Sequence, residues 1–169
     1  HLKARLVACE FDQVPGVDFL ETFSPVIKPA TIRIVLTLAP SHNWAIQQIV
    51  VKNAFLYGDL DQTMFIEQPP GFIDNQKPSY VCQQHKALYG LRQAPRAWYD
   101  WFGTYLLSKG FLSSISDSSL FIHKDGRGII LLLKYVDEII LTGSHLMLLQ
   151  EFIRYIRDIF ITSLDLSFQ

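Results

Sequence analysis

The chain has 169 residues, a formal net charge of −1, 49% hydrophobic residues and 18% charged ones. This balance excludes a disordered chain and a globally basic nucleic-acid binder, and the length fits one domain with its own core; a nucleic-acid partner would need a local basic face. Cys9 and Cys82 lie far apart and the five histidines are scattered, which excludes a disulfide framework and a Cys/His metal cluster and points to a reducing, intracellular setting.

No run reaches the roughly 18 uncharged apolar residues of a membrane span. The densest apolar run, residues 129–141, is broken by Lys134, Asp137 and Glu138. The chain begins at His1 inside a strand-like pattern and stops at "LDLSFQ" with no capping element, so a fragment of a longer protein is expected.

In chain order, "LKARLVACEF" alternates apolar and polar residues as a strand carrying Lys3 and Arg5, and "DQVPGVDF" is a turn. "ETFSPVIKPA" is extended around Pro25 and Pro29. Thr31 is placed to cap a helix from Ile32 toward His42, with Pro40 weakening its last turn. "WAIQQIVV" predicts a buried strand, and "KNAFLYGDL" a turn with a short helical piece. "MFIEQPPGF" is a strand stopped by Pro69-Pro70-Gly71, followed by a polar loop over residues 73–80.

"ALYGLRQAP" leads into a helix with Pro95 in its first turn. Trp98, Phe102, Tyr105 and Leu106 share one apolar face, and Gly110 is the stop. "SLFIHK", "IILLLKY" and "EIILTG" predict three antiparallel strands, the last pair turning at Val136–Asp137. Ser144 is placed to cap a final helix that buries Leu146, Leu149, Ile153, Ile156 and Phe160. The order predicts an α+β fold, with helices packed on one face of an antiparallel sheet.

Seven stretches then occur in a telling order: "KARLVA", "ETFSPV", "VKNAFLYGDL", "EQPPGF", "HKALYGLRQAPRAWYD", "SDSSLF" and "YVDEIILTG". Together they resemble the reverse transcriptase of copia-type retrotransposon Pol polyproteins, most of all plant copies, over nearly the whole chain. The resemblance implies a right-hand polymerase fold: residues 1–43 part of the fingers, 44–60 the first palm strand and following turn, 61–93 the fingers/palm connection and 94–169 the palm. Thumb and ribonuclease H would lie outside. It also implies RNA-directed DNA polymerase activity on a primed RNA or DNA template with deoxynucleoside triphosphates, an intracellular location in a cytoplasmic particle or the nucleus, and no membrane.

The implied chemistry uses two Mg²⁺ ions, one activating the primer 3′-hydroxyl and the other holding the triphosphate. Mg²⁺ takes hard oxygen ligands. In the family these come from an Asp on the first palm strand and two Asp of a Tyr-Val-Asp-Asp hairpin. Here the hairpin is Tyr135-Val136-Asp137-Glu138. Asp137 is expected as a metal ligand, against the plainer reading of a solvated turn residue. Glu138 keeps the charge but adds a methylene, a displacement that can lower a rate about a hundredfold. Val50 stands where the family has the first Asp; valine has no oxygen to ligate Mg²⁺ yet suits a strand. Loss of that ligand predicts a rate reduction of about a thousandfold or more.

The resemblance places Phe55 under the incoming sugar, Lys52 and Asn53 near the triphosphate, Gln93 and Arg96 at a helix start facing the template-pairing nucleotide, and Lys3 and Arg5 toward the triphosphate. The plainer readings are a core aromatic for Phe55, a solvated helix charge for Arg96, and surface charges for Lys3 and Arg5. Cys9-Glu10, Trp101 and Ser167 also depart from the family wording. The expectation is a polymerase by descent whose present copy is inactive. The rivals are a nucleic-acid-binding remnant that keeps Lys3, Arg5, Lys52, Arg92 and Arg96 along one cleft, and a chain that no longer folds alone.

Overall fold

The structure, a computed structural model, describes residues 7, 8, 13, 14, 16, 17, 19 and 21–162. Lys3, Arg5, Cys9, Glu10, Ser167 and most of the predicted first strand lie outside the described residues. The elements are α1 (Pro29–Ser41), β1 (Ile46–Val50), a 3-10 helix (Ala54–Tyr57), β2 (Asp59–Glu67), β3 (Val81–Lys86), α2 (Ala94–Ser108), β4 (Leu112–Ser113), β5 (Leu120–Asp125), β6 (Gly128–Tyr135), β7 (Glu138–Gly143) and α3 (Leu146–Thr162). They fall into two compact units, His1–Ser24 with Ala54–Trp101, and Pro25–Asn53 with Phe102–Gln169.

The second unit is built on a five-stranded sheet in the order β1-β7-β6-β5-β4, with every pairing antiparallel. Its helices cover both faces, not the one face expected. Leu131 and Leu133 point to one side, into a cluster with Ile27 just before α1 and Val35 within it. On the other side the Phe152 ring of α3 meets Phe111 at 5.0 Å and His123 at 4.8 Å, and Phe160 meets Phe102 at 6.0 Å. The cause is visible in β6: Ile130, Leu131, Leu132 and Leu133 are consecutive and all buried. Side chains alternate faces along a strand, so an unbroken apolar run needs cover on both.

Three local expectations are corrected. Helix α1 starts at Pro29, with Lys28 rather than Thr31 at its N-cap. The Thr31 hydroxyl instead donates to Asp117 Oδ2 at 2.6 Å, beside the Lys28 N–H at 2.9 Å, while the Ser119 N–H donates to Oδ1 at 3.0 Å. Asp117, only 5% exposed, thus caps α1 from the β4–β5 turn. Second, β1 is an edge strand and largely exposed, with Val50 58% exposed; burial begins at Val51. Third, the Ser144 hydroxyl accepts the Ile129 N–H at 2.9 Å and does not cap α3. In α3, Leu149, Ile153, Ile156 and Phe160 are buried, but Leu146 is exposed.

The first unit holds the antiparallel β2–β3 pair; the sequence pattern did not reveal β3. Its core joins Met64, Ala87, Leu91 and Ala94, with Phe55, Leu60 and Ala97 packed against them. Pro95 lies in the first turn of α2 as predicted. Trp98 is buried, its ring 5.7 Å from Trp101 and 6.0 Å from Tyr57. Gly90, with φ +89°, passes so close to Ala8 that a Cβ would strike the Ala8 carbonyl oxygen and come within 2.8 Å of Val7 Cγ1. The adjoining Tyr89 carbonyl accepts the Ala8 N–H at 2.8 Å.

Candidate functional site

The β6–β7 hairpin turns through Val136 and Asp137, between the paired residues Tyr135 and Glu138. Val136 has φ +50°, and Asp137 is not among the residues of positive φ. That sign pattern belongs to a type II′ hairpin turn, whose first position usually takes glycine. A β-branched residue there stores strain of about 1–3 kcal/mol.

The ladder between β1 and β7 places Val50 directly opposite Glu138. Pairing continues one residue further, where the Val51 N–H donates to the Asp137 carbonyl at 2.8 Å. Glu138 is also paired with Tyr135, so Val50, Glu138 and Tyr135 form one row across three strands, on one face of the sheet. Directly opposed residues have Cβ atoms about 4.5–5.5 Å apart. Val50 and Tyr135 are exposed and Glu138 half-buried, so this end of the sheet is open to water. Lys52 follows β1 and is exposed; Asn53 holds φ +55°. Residues Gln48 to Lys52, with Arg157 and Phe160 of α3, line a groove of about 310 Å³.

Phe55, Gln93 and Arg96 belong to the other unit. The Phe55 ring lies 4.8 Å from Tyr89 and packs on the Met64 cluster. Gln93 accepts a hydrogen bond from Gln13 Nε2 at 2.9 Å and its own Nε2 faces Met64 Sδ at 3.8 Å. Arg96 binds Asp100 at 2.6 Å, Glu21 at 3.0 Å and the Phe23 carbonyl at 3.0 Å. The hydrogen bond to Asp100, and then the Glu21 carboxylate, hold its pKa above the ordinary guanidinium value. A pocket of about 260 Å³ at the start of α2 is lined by Glu21, Asp59, Asp61 and Asp100 as well as Arg96. As a cluster these carboxylates are not visible in the sequence, because Glu21, Asp59 and Asp61 come from segments separated from the helix. Their sign opposes the anion that a helix N-terminus would otherwise attract.

The reverse transcriptase (RNA-dependent DNA polymerase) family matches residues 1–166. The chain is 55% identical over 148 residues to a retrovirus-related Pol polyprotein from transposon RE2 of Arabidopsis thaliana, covering 88% of this chain and 10% of that protein. It is 44% identical over 143 residues to a retrovirus-related Pol polyprotein from transposon TNT 1-94 of Nicotiana tabacum, covering 84% and 11%. No solved structure matches the chain. The chain therefore belongs to the reverse transcriptase family, in the branch of copia-type Pol polyproteins, and spans about a tenth of the length of these two relatives.

Reverse transcriptases generally use Mg²⁺, and the two carboxylates at the hairpin do not by themselves make a full oxygen set for that ion. Asp137 and Glu138 supply oxygens, but the residue opposite Glu138 on β1 is Val50, an alkyl group. Among the described residues no group of three His, Cys, Asp or Glu side chains is arranged to hold a metal ion. No helix among them is long and apolar enough to cross a membrane.

Proposed function

We propose that this chain is, by descent, part of an RNA-directed DNA polymerase that extends a primer on an RNA or DNA template, and that this copy is catalytically inactive. The observation that carries the second half is the cross-strand pair Val50–Glu138. Two departures from the family wording meet at one point, where nucleotidyl transfer needs a cluster of carboxylates. The five-stranded sheet with its Tyr-Val-Asp-Glu hairpin supports reading residues 44–60 and 94–169 as palm, with 1–43 and 61–93 as fingers and connection. In this reading Asp137 is the surviving metal ligand, and Lys52, Asn53, Phe55, Gln93 and Arg96 descend from nucleotide and template contacts.

Primer extension on a homopolymer template with Mg²⁺ tests the proposal. The chain is expected to give no incorporation above background, and the double substitution Val50→Asp with Glu138→Asp to raise any trace. Clear incorporation by the unaltered chain overturns the inactive reading.

A further inference from the structure

We infer that the open edge of β1 is an interface between two copies of this chain, which pair their β1 strands antiparallel about a two-fold axis at Gln48. The register fixes which way the backbone of β1 points. The Val51 N–H donates to the Asp137 carbonyl, and pairing runs unbroken from Val50↔Glu138 to Ile46↔Thr142. Hydrogen-bonded and non-hydrogen-bonded pairs alternate along an antiparallel ladder, so Val51, Ile49 and Gln47 bond to β7. Ile46, Gln48 and Val50 therefore turn their N–H and C=O groups outward. Among the described residues no strand pairs with that side of β1.

Such an edge is a template for another strand unless a charge, a proline or a bulge blunts it. β1, with the sequence Ile-Gln-Gln-Ile-Val, carries no charge and no proline, and its register has no shift. The edge also fits itself. Centred on Gln48, an antiparallel pairing sets Ile46 against Val50 of the second copy and Val50 against its Ile46. The outward N–H and C=O groups of all three residues then find partners. Ile46 and Val50, 40% and 58% exposed, cover each other as an aliphatic cross-strand pair. The two Gln48 amides meet at the axis, where each can donate to the other. The row then reads Glu138, Val50, Ile46 of the second copy and its Thr142, so the two Glu138 carboxylates stay apart.

Association of this kind closes on itself. The pairing is isologous, each copy using the same strand, and it joins the two five-stranded sheets into one. The far edge of each sheet is β4, only Leu112–Ser113, too short to recruit a further strand. A single strand a side makes a small interface, so a Kd on the order of 10 μM is expected.

Sedimentation equilibrium over a concentration series spanning that value tests the inference, with the unaltered chain expected to pass from monomer to dimer. Gln48→Lys and Gln48→Glu each put like charges face to face at the axis, and each should dimerise at least about fivefold more weakly. An equimolar mixture of the two variants should regain the affinity of the unaltered chain, because opposite charges then meet. Position 48 is exposed, so the fold should tolerate both changes. Should either variant fail to fold, Gln48→Pro replaces the pair: it removes an outward N–H and no bond to β7, and it too should weaken the dimer. A chain that stays monomeric throughout overturns the inference. So do folded variants that dimerise as tightly as the unaltered chain, or a mixture no tighter than either variant alone. Primer extension reads none of this, so the inactive reading is tested separately.

Discussion

Thr31 and Asp117 lie 86 residues apart in sequence and share a 2.6 Å hydrogen bond, hydroxyl to carboxylate. The bond joins the stretch "SPVIKPAT" to "SDSSLF" and fixes the start of α1 to the turn before β5. Ser119, whose N–H also binds Asp117, in turn accepts the Lys134 N–H through its carbonyl at 2.9 Å, one residue before Tyr135. The helix start, the turn and the tip end of β6 are thus tied by one chain of hydrogen bonds through Asp117 and Ser119.

Asp117→Asn is expected to lower stability by about 1–3 kcal/mol in urea unfolding, the usual size for hydrogen bonds to a buried charged group. Burial acts to raise the Asp117 pKa. The hydrogen bonds from Thr31, Lys28 and Ser119, with the Lys28 charge, outweigh it and hold the carboxyl below its ordinary value. A carboxyl depressed in the folded state contributes its full stability above its unfolded pKa, near 4, and loses it as pH falls through the folded value. Thermal melts should therefore show an acid limb below about pH 4 that Asp117→Asn makes shallower. An unchanged limb would assign acid sensitivity to other groups.

Leu132 and Val50 should respond oppositely to truncation. Leu132 is fully buried between β5 and β7, and Leu132→Ala should cost about 2–5 kcal/mol. Val50 is exposed on the edge strand, and Val50→Ala should stay within about 0.5 kcal/mol. Chemical denaturation of the two variants side by side checks this contrast.

Gly90→Ala should destabilise the first unit by more than about 2 kcal/mol, since a left-handed φ of +89° and a collision with the Ala8 carbonyl act together. Gly71, at φ +87° but with no atom within 4 Å of a built Cβ, isolates the conformational part. Gly71→Ala should cost about 1–2 kcal/mol. Hydrogen exchange at Ala8, whose N–H bonds to the Tyr89 carbonyl, gives a local readout.

Arg96→Ala should change stability by less than about 1 kcal/mol, because its ion pairs with Glu21 and Asp100 are largely solvent-exposed. With two carboxylates already on the guanidinium, the substitution should also leave the salt dependence of any primer–template binding unchanged. Lys52→Ala would lower that slope by about one unit if Lys52 contacts a phosphate. Gel-shift titrations over a salt series measure both.

Much of the architecture was legible because its signals are local. The hairpin strands, the turn at Val136–Asp137, the Pro95 start of α2 and the Gly110 stop follow from short patterns. What stayed hidden depends on partners distant in sequence. Thr31 looked like a cap because nothing near it announces Asp117. "WAIQQIVV" looked buried because its apolar content does not say that β1 is the edge of the sheet. β3, "VCQQHK", is too polar to stand out before it pairs with β2. The candidate carboxylates at the hairpin could be picked out by wording, but only the register shows that Val50 and Glu138 are direct neighbours.

The open end of the five-stranded sheet has a consequence for which substitutions the fold tolerates. The core lies between two helical layers, whereas position 50 faces solvent. Exchanging aspartate for valine there removes a chemical group without opening a cavity or exposing a hidden surface. Selection for a foldable chain is blind to that change. The shape can therefore persist whichever of the two side chains stands at position 50.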